Sequence, residues 1–192
     1  MKIVIIAGTN RSGSMSKKIA LLLQRQYQAE NVETEVIDLA DLPSTLFVPT
    51  IYGKEKPAEF THFHDKILSA DGLVFVVPEY NGSYPGALKF FIDLWQYPVA
   101  FERKCVAFVG LSSNQWGALR PIEHLQGVFG YRNAWQFNER VFINHIWSRW
   151  NDADQTLRPL VEKEVDYTEL LLSQTKGFVQ FCSIHSAAGC CP

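Results

Sequence analysis

Three short apolar runs constrain the fold of this chain more than any other feature of its sequence. They span residues 3–7, 73–77 and 105–109, and turn-forming residues bound each of them. Each run is too short to form a helix on its own, and its apolar character is continuous rather than alternating. A strand covered on both faces has this pattern, so the runs predict three buried strands of a parallel sheet.

Helical patterns separate these runs. Apolar residues recur at helical spacing after Ser14, between residues 60 and 68, from Leu88 to Trp95 and from Leu119 to Phe129. Strands that alternate with helical crossovers indicate a doubly wound α/β fold, with helices on both faces of a parallel sheet.

The remaining patterns predict two more strands and a last helix. Residues 32–38 alternate between polar and apolar side chains, which is typical of a half-exposed edge strand. A fifth strand is predicted at residues 141–143, with residues 134–137 as the competing alternative. A long helix is predicted from Leu160 to Phe178.

No proline- or glycine-rich linker divides the chain, so its 192 residues predict one domain over residues 1–185. Residues 186–192 show no pattern, and we expect them to form a mobile tail. This tail contains Cys190 and Cys191.

Charge and cysteine content narrow the classes of function. The formal net charge of -2 gives no basic excess for nucleic acid or an anionic membrane. No segment approaches the roughly 20 apolar residues of a membrane span. The four cysteines match neither a disulfide framework nor a zinc spacing, so we expect no metal and a cytoplasmic location.

The loop after the first strand is the first candidate for a ligand site, because open parallel sheets bind ligands at the carboxyl ends of their strands. It reads Gly-Thr-Asn-Arg-Ser-Gly-Ser-Met-Ser over residues 8–16. Its hydroxyl groups, the charged fork of Arg11 and the N–H groups of the following helix are suited to a phosphomonoester. The competing interpretation is a serine-rich turn in which Ser14 or Ser16 caps the helix and Arg11 is solvated.

The spacing within this loop argues against other phosphate-binding loops. Gly8 and Gly13 lack the middle glycine of G-x-G-x-x-G, and Ser14 stands where a G-x-x-x-x-G-K-[ST] loop has lysine. The loop also holds no cysteine, which argues against a thiol phosphatase.

A second segment gives the phosphate a more specific identity. Residues 78–93 read Pro-Glu-Tyr-Asn-Gly-Ser-Tyr-Pro-Gly-Ala-Leu-Lys-Phe-Phe-Ile-Asp. With the first loop, this segment resembles the NADPH-dependent FMN reductase family, a flavodoxin-like group that includes chromate, quinone and azo-dye reductases. That family carries the patterns G-S-x-R-x-G-S-x-N and P-E-Y-N-x-S-x-P-G-x-L-K-N-x-I-D. The resemblance extends to about Leu125, and it implies five parallel strands in the order 2-1-3-4-5.

The resemblance assigns cofactor positions in both loops. These are Thr9, Arg11, Ser14, Met15 and Ser16 for the phosphate of FMN, and Pro78, Glu79, Tyr80, Asn81 and Gly82 for its isoalloxazine ring. Ser16 replaces the usual asparagine, which shortens one donor. An aromatic side chain such as Tyr80 is suited to shelter the ring, and the N–H groups of Asn81 and Gly82 are suited to reach N5 and O4. Without the resemblance, a plain turn is the competing interpretation of this segment.

A second departure from the family pattern lies in the segment of residues 78–93. Phe90 also replaces a family asparagine, which puts the geometry of a subunit contact in question. Phe90 and Phe91 are consistent with an oligomer surface or with core packing.

Two later segments are further candidates for the flavin site. After the third buried strand, backbone and amide donors could reach the flavin pyrimidine from Ser112, Ser113, Asn114 and Gln115, although a polar loop that binds nothing is the alternative. The aromatic residues of 144–150 could line the open flavin face, in this subunit or a neighbour, or pack locally.

The resemblance implies a homodimeric or homotetrameric enzyme with bound FMN. It would take hydride from NADPH or NADH and pass electrons to a small acceptor, such as a quinone, chromate, an azo dye or free flavin, by a ping-pong mechanism. No acid or base residue of the chain need be essential. The alternatives are a flavodoxin-like electron carrier, which the weak net charge argues against, and a flavin-binding partner protein without catalysis.

Overall fold

The computed structural model describes residues 1–53 and 56–187. Its strands are β1 (Lys2–Ala7), β2 (Glu33–Asp38), β3 (Gly72–Pro78), β4 (Cys105–Leu111), β5 (Trp135–Gln136), β6 (Val141–Ile143), β7 (Trp150–Asn151) and β8 (Thr156–Leu157). Its α-helices are α1 (Met15–Ala29), α2 (Ala58–Ser69), α3 (Gly86–Asp93), α4 (Leu119–Tyr131), α5 (Ile146–Arg149) and α6 (Tyr167–Ala187). Short 3-10 turns lie at Leu39–Asp41, Ser44–Leu46 and Pro49–Tyr52.

The main sheet is parallel, and β1 pairs with β2 on one side and β3 on the other. β4 follows β3, and the next position beside β4 is filled by β5 and β6. The predicted fold and strand order, 2-1-3-4-5, are therefore confirmed. Because the chain leaves β1 in one direction and later returns on its other side, the strand order reverses between β1 and β3.

Two short strands, rather than the single strand that the sequence predicts, occupy the fifth position of the sheet. β5 pairs with residues 105–106 and β6 with residues 109–111, so each competing segment supplies part of the strand. Between the two pairings, the buried Gln174 side chain donates hydrogen bonds to Phe108 O at 3.0 Å and to Glu139 O at 2.8 Å. This amide satisfies carbonyl groups at the break, which would otherwise be costly to bury.

Helices cover both faces of the sheet, as the continuous apolar strands require. Alternate β1 side chains point to opposite faces: Ile3 and Ile5 pack in the core beneath α1 and α6, and Val4 and Ile6 pack in the core beneath α2, α3 and α4. The two cores hold the ends of β1 and β3 in place, and the candidate ligand loop follows β1 at this position.

The last helix begins later than predicted, at Tyr167 rather than Leu160. The Asp166 carboxylate accepts hydrogen bonds from the N–H groups of Thr168 at 2.8 Å and Glu169 at 3.3 Å. An aspartate in this position caps a helix and sets its first residue. The helical spacing between Leu160 and Val165 therefore lies in the connection before the helix.

The helix continues to Ala187 and so includes the first two residues of the predicted tail. Residues 188–192, which include Cys190 and Cys191, lie outside the described residues. In the described part of the chain, no helix combines the length and the apolar character needed to cross a membrane.

Candidate active site

A cleft opens at the carboxyl ends of β1, β3 and β4, beside the point where the strand order reverses. Open α/β sheets bind ligands at this place. Four segments contribute to its walls: the loop after β1, the end of β3, the end of β4 and helix α5. The lining residues are Thr9, Arg11, Ser12, Gly13, Ser14, Met15, Ser16, Pro78, Glu79, Tyr80, Leu111, Ser112, Ser113, Ile146 and Trp147.

The loop after β1 forms a hydroxyl- and amide-rich wall of this cleft. Ser14 caps α1, because its hydroxyl accepts a hydrogen bond from the Lys17 N–H at 3.2 Å. The first turn of a helix has N–H groups without intrahelical partners, so α1 begins beside the cleft with free donors and the positive end of its dipole. Arg11 lies exposed next to this turn. Capping by Ser14 and a role in anion binding are therefore compatible.

The Ser16 hydroxyl is buried in the same wall. Ser16 is only 1% exposed, and within the described residues its Oγ has no hydrogen-bond partner. A buried hydroxyl in this condition costs on the order of 1–3 kcal/mol. The cost would be recovered by any ligand oxygen that reached Ser16 from the cleft.

A hydrogen bond joins the loop after β1 to the end of β3. The buried Thr9 hydroxyl lies 2.9 Å from the Tyr80 hydroxyl, and Thr9 Oγ1 also accepts the Arg11 N–H at 3.3 Å. The position of the Tyr80 ring is therefore fixed relative to the phosphate-type loop. The two segments that the sequence singles out separately form one site.

Residues 80–83 form a tight turn at the edge of the cleft. Tyr80 and Ser83 exchange backbone hydrogen bonds of 2.8 and 3.0 Å, and the two residues between them have φ of 51° and 77°. Positive φ at both central residues is typical of a type I′ turn, which the sequence Asn81-Gly82 favours. Neither Asn81 nor Gly82 lines the cleft. Contact of their N–H groups with a flavin stays a prediction.

The loop after β4 is divided between lining and support. Ser112 and Ser113 line the cleft, whereas Asn114 and Gln115 do not. Asn114 Oδ1 accepts hydrogen bonds from the Ser112 hydroxyl and from a backbone N–H, both at 2.8 Å. Asn114 Nδ2 donates to Glu79 Oε2 at 3.3 Å. The predicted ligand donor Asn114 thus joins two walls of the cleft.

The aromatic segment after β6 also contributes to the cleft of its own chain. Ile146 is buried in the wall, and Trp147 lines the cleft while remaining 63% exposed. Trp150 instead packs locally, which is the alternative that the sequence left open, and its Nε1 donates to Asp152 Oδ1 at 2.8 Å.

Leu111, at the end of β4, is a lining residue that the sequence does not single out.

Arg149, in the same segment, forms an ion pair with the partly exposed Glu164. Arg149 is 1% exposed, and its guanidinium donates to Glu164 Oε2 at 2.9 Å and to Glu164 Oε1 at 2.5 Å. The hydrogen bonds from Arg149, together with that from the Leu160 N–H, lower the pKa of Glu164 from 4.5 to about 2. Glu164 therefore stays ionised in the folded chain well into the acid range.

This ion pair predicts a component of the acid stability of the fold. Since the pKa of Glu164 is lower in the folded than in the unfolded chain, its contribution is complete above pH 4.5 and is lost as the pH falls toward about 2. Urea unfolding measured across this range should show stability falling more steeply in the natural chain than in Glu164→Gln. Parallel profiles for the two proteins would contradict the prediction.

Comparison with known proteins identifies the chain. A family model described as NADPH-dependent FMN reductase matches residues 1–148. The chain belongs to this family. It is 27% identical to an NAD(P)H-dependent FMN reductase from Pseudomonas aeruginosa, over 92% of this chain and 98% of that relative. It is 30% identical to a quinone reductase from Escherichia coli strain K12, over 94% and 96% of the two chains.

A solved structure has a fold similar to that of this chain, which agrees with the flavodoxin-like fold. The structure is a flavoenzyme NAD(P)H:(acceptor) oxidoreductase from Paracoccus denitrificans, with a TM-score of 0.78 and 22% identity. The match covers 96% of this chain and 98% of that one.

The cleft of this reductase fits FMN, the cofactor of its family. One wall offers the exposed Arg11 cation, the α1 N-terminus and the buried Ser16 hydroxyl, which are donors for phosphate oxygens. Other parts of the lining offer the rings of Tyr80 and Trp147, which suit a flat aromatic group. The lining of the cleft thus combines the two kinds of group that a phosphorylated flavin requires, phosphate donors and aromatic rings.

Proposed function

We propose that the chain is an FMN-dependent oxidoreductase that oxidises NAD(P)H and reduces a small acceptor of the quinone type. The observation that carries the proposal is the convergence of the two family loops on one cleft. Ser16 also lines this cleft, and its buried hydroxyl has no hydrogen-bond partner among the described residues. Bound FMN would supply the hydride and electron chemistry. The protein would supply position, donors and a restricted opening.

The loop after β1 would hold the phosphate. Arg11 would donate a charge-assisted pair of hydrogen bonds, and Ser16 would donate one from its buried hydroxyl. Ser14 already accepts a bond from Lys17, but its own hydroxyl proton remains available to a phosphate oxygen. N–H groups of the first turn of α1 would complete the cradle.

The ends of β3 and β4 would hold the ring. Tyr80 would pack against the flavin with its orientation set by the 2.9 Å contact to Thr9. Ser112 and Ser113 would face the polar edge of the ring from the neighbouring strand end. Since Asn114 ties the two strand ends together through Glu79, the spacing between these walls would change little when the ring enters.

The exposed Trp147 would lie at the opening through which substrates approach. The nicotinamide and the acceptor would both use this opening, one after the other, so the kinetics would be ping-pong. A flat quinone suits an opening beside an indole ring. The quinone reductase relative agrees with this class of acceptor.

Reconstitution with FMN tests the proposal. The purified chain should bind FMN and quench its fluorescence, and NADPH or NADH added without oxygen should bleach the bound flavin. A quinone added next should restore the flavin absorbance. Initial rates at several donor and acceptor concentrations should give parallel double-reciprocal lines. Bound flavin that neither nicotinamide bleaches would overturn the proposed activity and leave a carrier or binding protein.

We also propose that the enzyme is a cytoplasmic homo-oligomer. Phe91 is buried in the core, which leaves Phe90 as the partly exposed member of the pair, 5.4 Å from the ring of the 81% exposed Phe47. Tyr97 and Tyr131 are also strongly exposed. Exposed aromatic side chains in this number favour a subunit contact. Sedimentation of the purified chain should give a dimer or a tetramer.

A further inference from the structure

Arg149 makes more hydrogen bonds than an ion pair requires. Besides its two bonds to Glu164, its Nε donates to Asn144 O at 2.8 Å and its Nη2 to Asn144 Oδ1 at 2.8 Å. The guanidinium carbon lies 4.7 Å from the centre of the Tyr167 ring. Burying the charge of Arg149 is costly unless it is well paired, and these contacts provide that pairing.

The cluster encloses the segment that lines the cleft. Asn144 precedes the segment 145–148 and Arg149 follows it. The bonds from the Arg149 guanidinium to the backbone carbonyl and the side chain of Asn144 close the segment into a short loop. His145, the residue directly before α5, has a left-handed φ of 47°. A four-residue helix has little stability of its own. The position of Trp147 therefore depends on the contacts at the two ends of the segment.

The same segment is bonded to the loop after β4. The His145 N–H donates to Asn114 O at 3.1 Å, and the Ile146 N–H donates to Ser112 O at 3.0 Å. Asn114 in turn donates to Glu79 at the end of β3. A continuous series of hydrogen bonds thus leads from Glu164, through Arg149 and the α5 segment, to the wall that carries Tyr80.

We infer that Arg149 is a positioning residue for the cofactor cleft, which acts by holding Trp147 in place. Arg149 does not line the cleft itself. It and Glu164 also lie beyond residues 1–148, where the family model matches, so the family match does not account for them. The inference rests on the proposed function, because it assigns these residues an effect on FMN binding.

A double-mutant cycle between Arg149 and Trp147 tests the inference. FMN dissociation constants would be measured by flavin fluorescence for the natural chain, Arg149→Met, Trp147→Ala and the double variant. Contacting or coupled residues show non-additive effects, so Arg149→Met should weaken binding about tenfold in the natural chain and less than about threefold when Trp147 is already alanine. Arg25→Met, which removes an exposed arginine of α1, is the matched control and should leave FMN binding unchanged.

Each outcome of the cycle decides the inference. Equal losses of affinity from Arg149→Met in the two backgrounds would overturn it, because a general loss of stability acts without regard to Trp147. If Arg149→Met does not fold, Glu164→Gln replaces it in the same cycle, since this change weakens the hold on the guanidinium while preserving side-chain volume. Failure of the natural chain to bind FMN would reject the proposed function and this inference together, whereas tight binding with additive losses would reject the inference alone.

Discussion

Replacing Gly117 by alanine is expected to destabilise the fold by about 3 kcal/mol, as the sum of two costs of comparable size. Gly117 has a φ of +59°, in the left-handed region that alanine adopts at a cost of about 1–2 kcal/mol. A Cβ added there would lie 2.6 Å from the carbonyl carbon of Phe142 and 2.8 Å from its oxygen. Phe142 belongs to β6 and is paired with Gly110 of β4, so its backbone cannot retreat without disturbing the sheet.

Gly127 provides a control of opposite sign. It lies exposed within α4, and a Cβ added there would have no atom within 4 Å. Alanine is a better helix former than glycine by about 1 kcal/mol, so Gly127→Ala should stabilise the chain. Urea unfolding of both variants measures the two effects. Similar stabilities for Gly117→Ala and the natural chain would show that the loop before α4 can relax, and would contradict the packing argument.

The contrast between these glycines illustrates what sequence patterns reveal about this fold. Continuous apolar runs correctly predict β1, β3 and β4, because a strand covered on both faces has no polar side to interrupt the run. The spacing of apolar residues cannot distinguish Gly117 from Gly127. One glycine faces the backbone of β6 and the other faces open space, and only the tertiary structure brings β6 to that place.

The fifth strand position and the last helix show why the remaining elements were harder to predict. β5 and β6 are short, and the break between them is supported by Gln174, which is far away in sequence on α6. Leu160 and Val161 continue the helical spacing, yet they are 42% and 65% exposed in a connection that ends at the Asp166 cap. In both cases, a polar side chain decides the boundary and apolar periodicity does not report it.

In the candidate site, too, local patterns are visible in the sequence, whereas contacts between distant parts of the chain are not. The loop of residues 8–16 and the segment beginning at Pro78 were predicted because their patterns are local and belong to a known family. Leu111 lines the cleft because β4 ends there, and Trp147 lines it because hydrogen bonds fold the α5 segment back toward Ser112. Whether the Ser16 hydroxyl is buried and unpaired depends on atoms from the whole surrounding structure, so its sequence position alone does not show it.

Arg11→Ala is expected to weaken FMN binding by about ten- to a hundredfold, since a hydrogen bond to a charged group contributes about 1.5–3 kcal/mol. Arg11 is exposed, so its attraction for the phosphate should be screened by salt. The FMN dissociation constant of the natural chain should therefore rise more steeply with ionic strength than that of Arg11→Ala. Arg11→Lys keeps the charge without the planar fork and should fall between them.

Ser16→Ala should have a smaller effect on FMN binding and an opposite effect on the free protein. The substitution removes a hydroxyl that is 1% exposed and has no partner among the described residues, so the cofactor-free chain should gain about 1 kcal/mol of stability. The FMN-bound chain should lose one donor to the charged phosphate, with a loss of affinity of about tenfold, at the lower end of the range for a hydrogen bond to a charged group.

Unfolding midpoints of both variants, measured with and without FMN, distinguish the effect of an exposed charge from that of a buried hydroxyl. An exposed cation contributes only when its anionic partner is present, so Arg11→Ala should change the unfolding midpoint of the bound chain and leave that of the free chain nearly unaltered. A buried donor is desolvated with and without FMN. Ser16→Ala should therefore raise the stability of the free chain and reduce that of the FMN-bound chain, so that the difference between the two becomes smaller. If Ser16→Ala instead weakened FMN binding more than Arg11→Ala, the buried hydroxyl and the helix N-terminus would be the main phosphate contacts, and the guanidinium would be secondary.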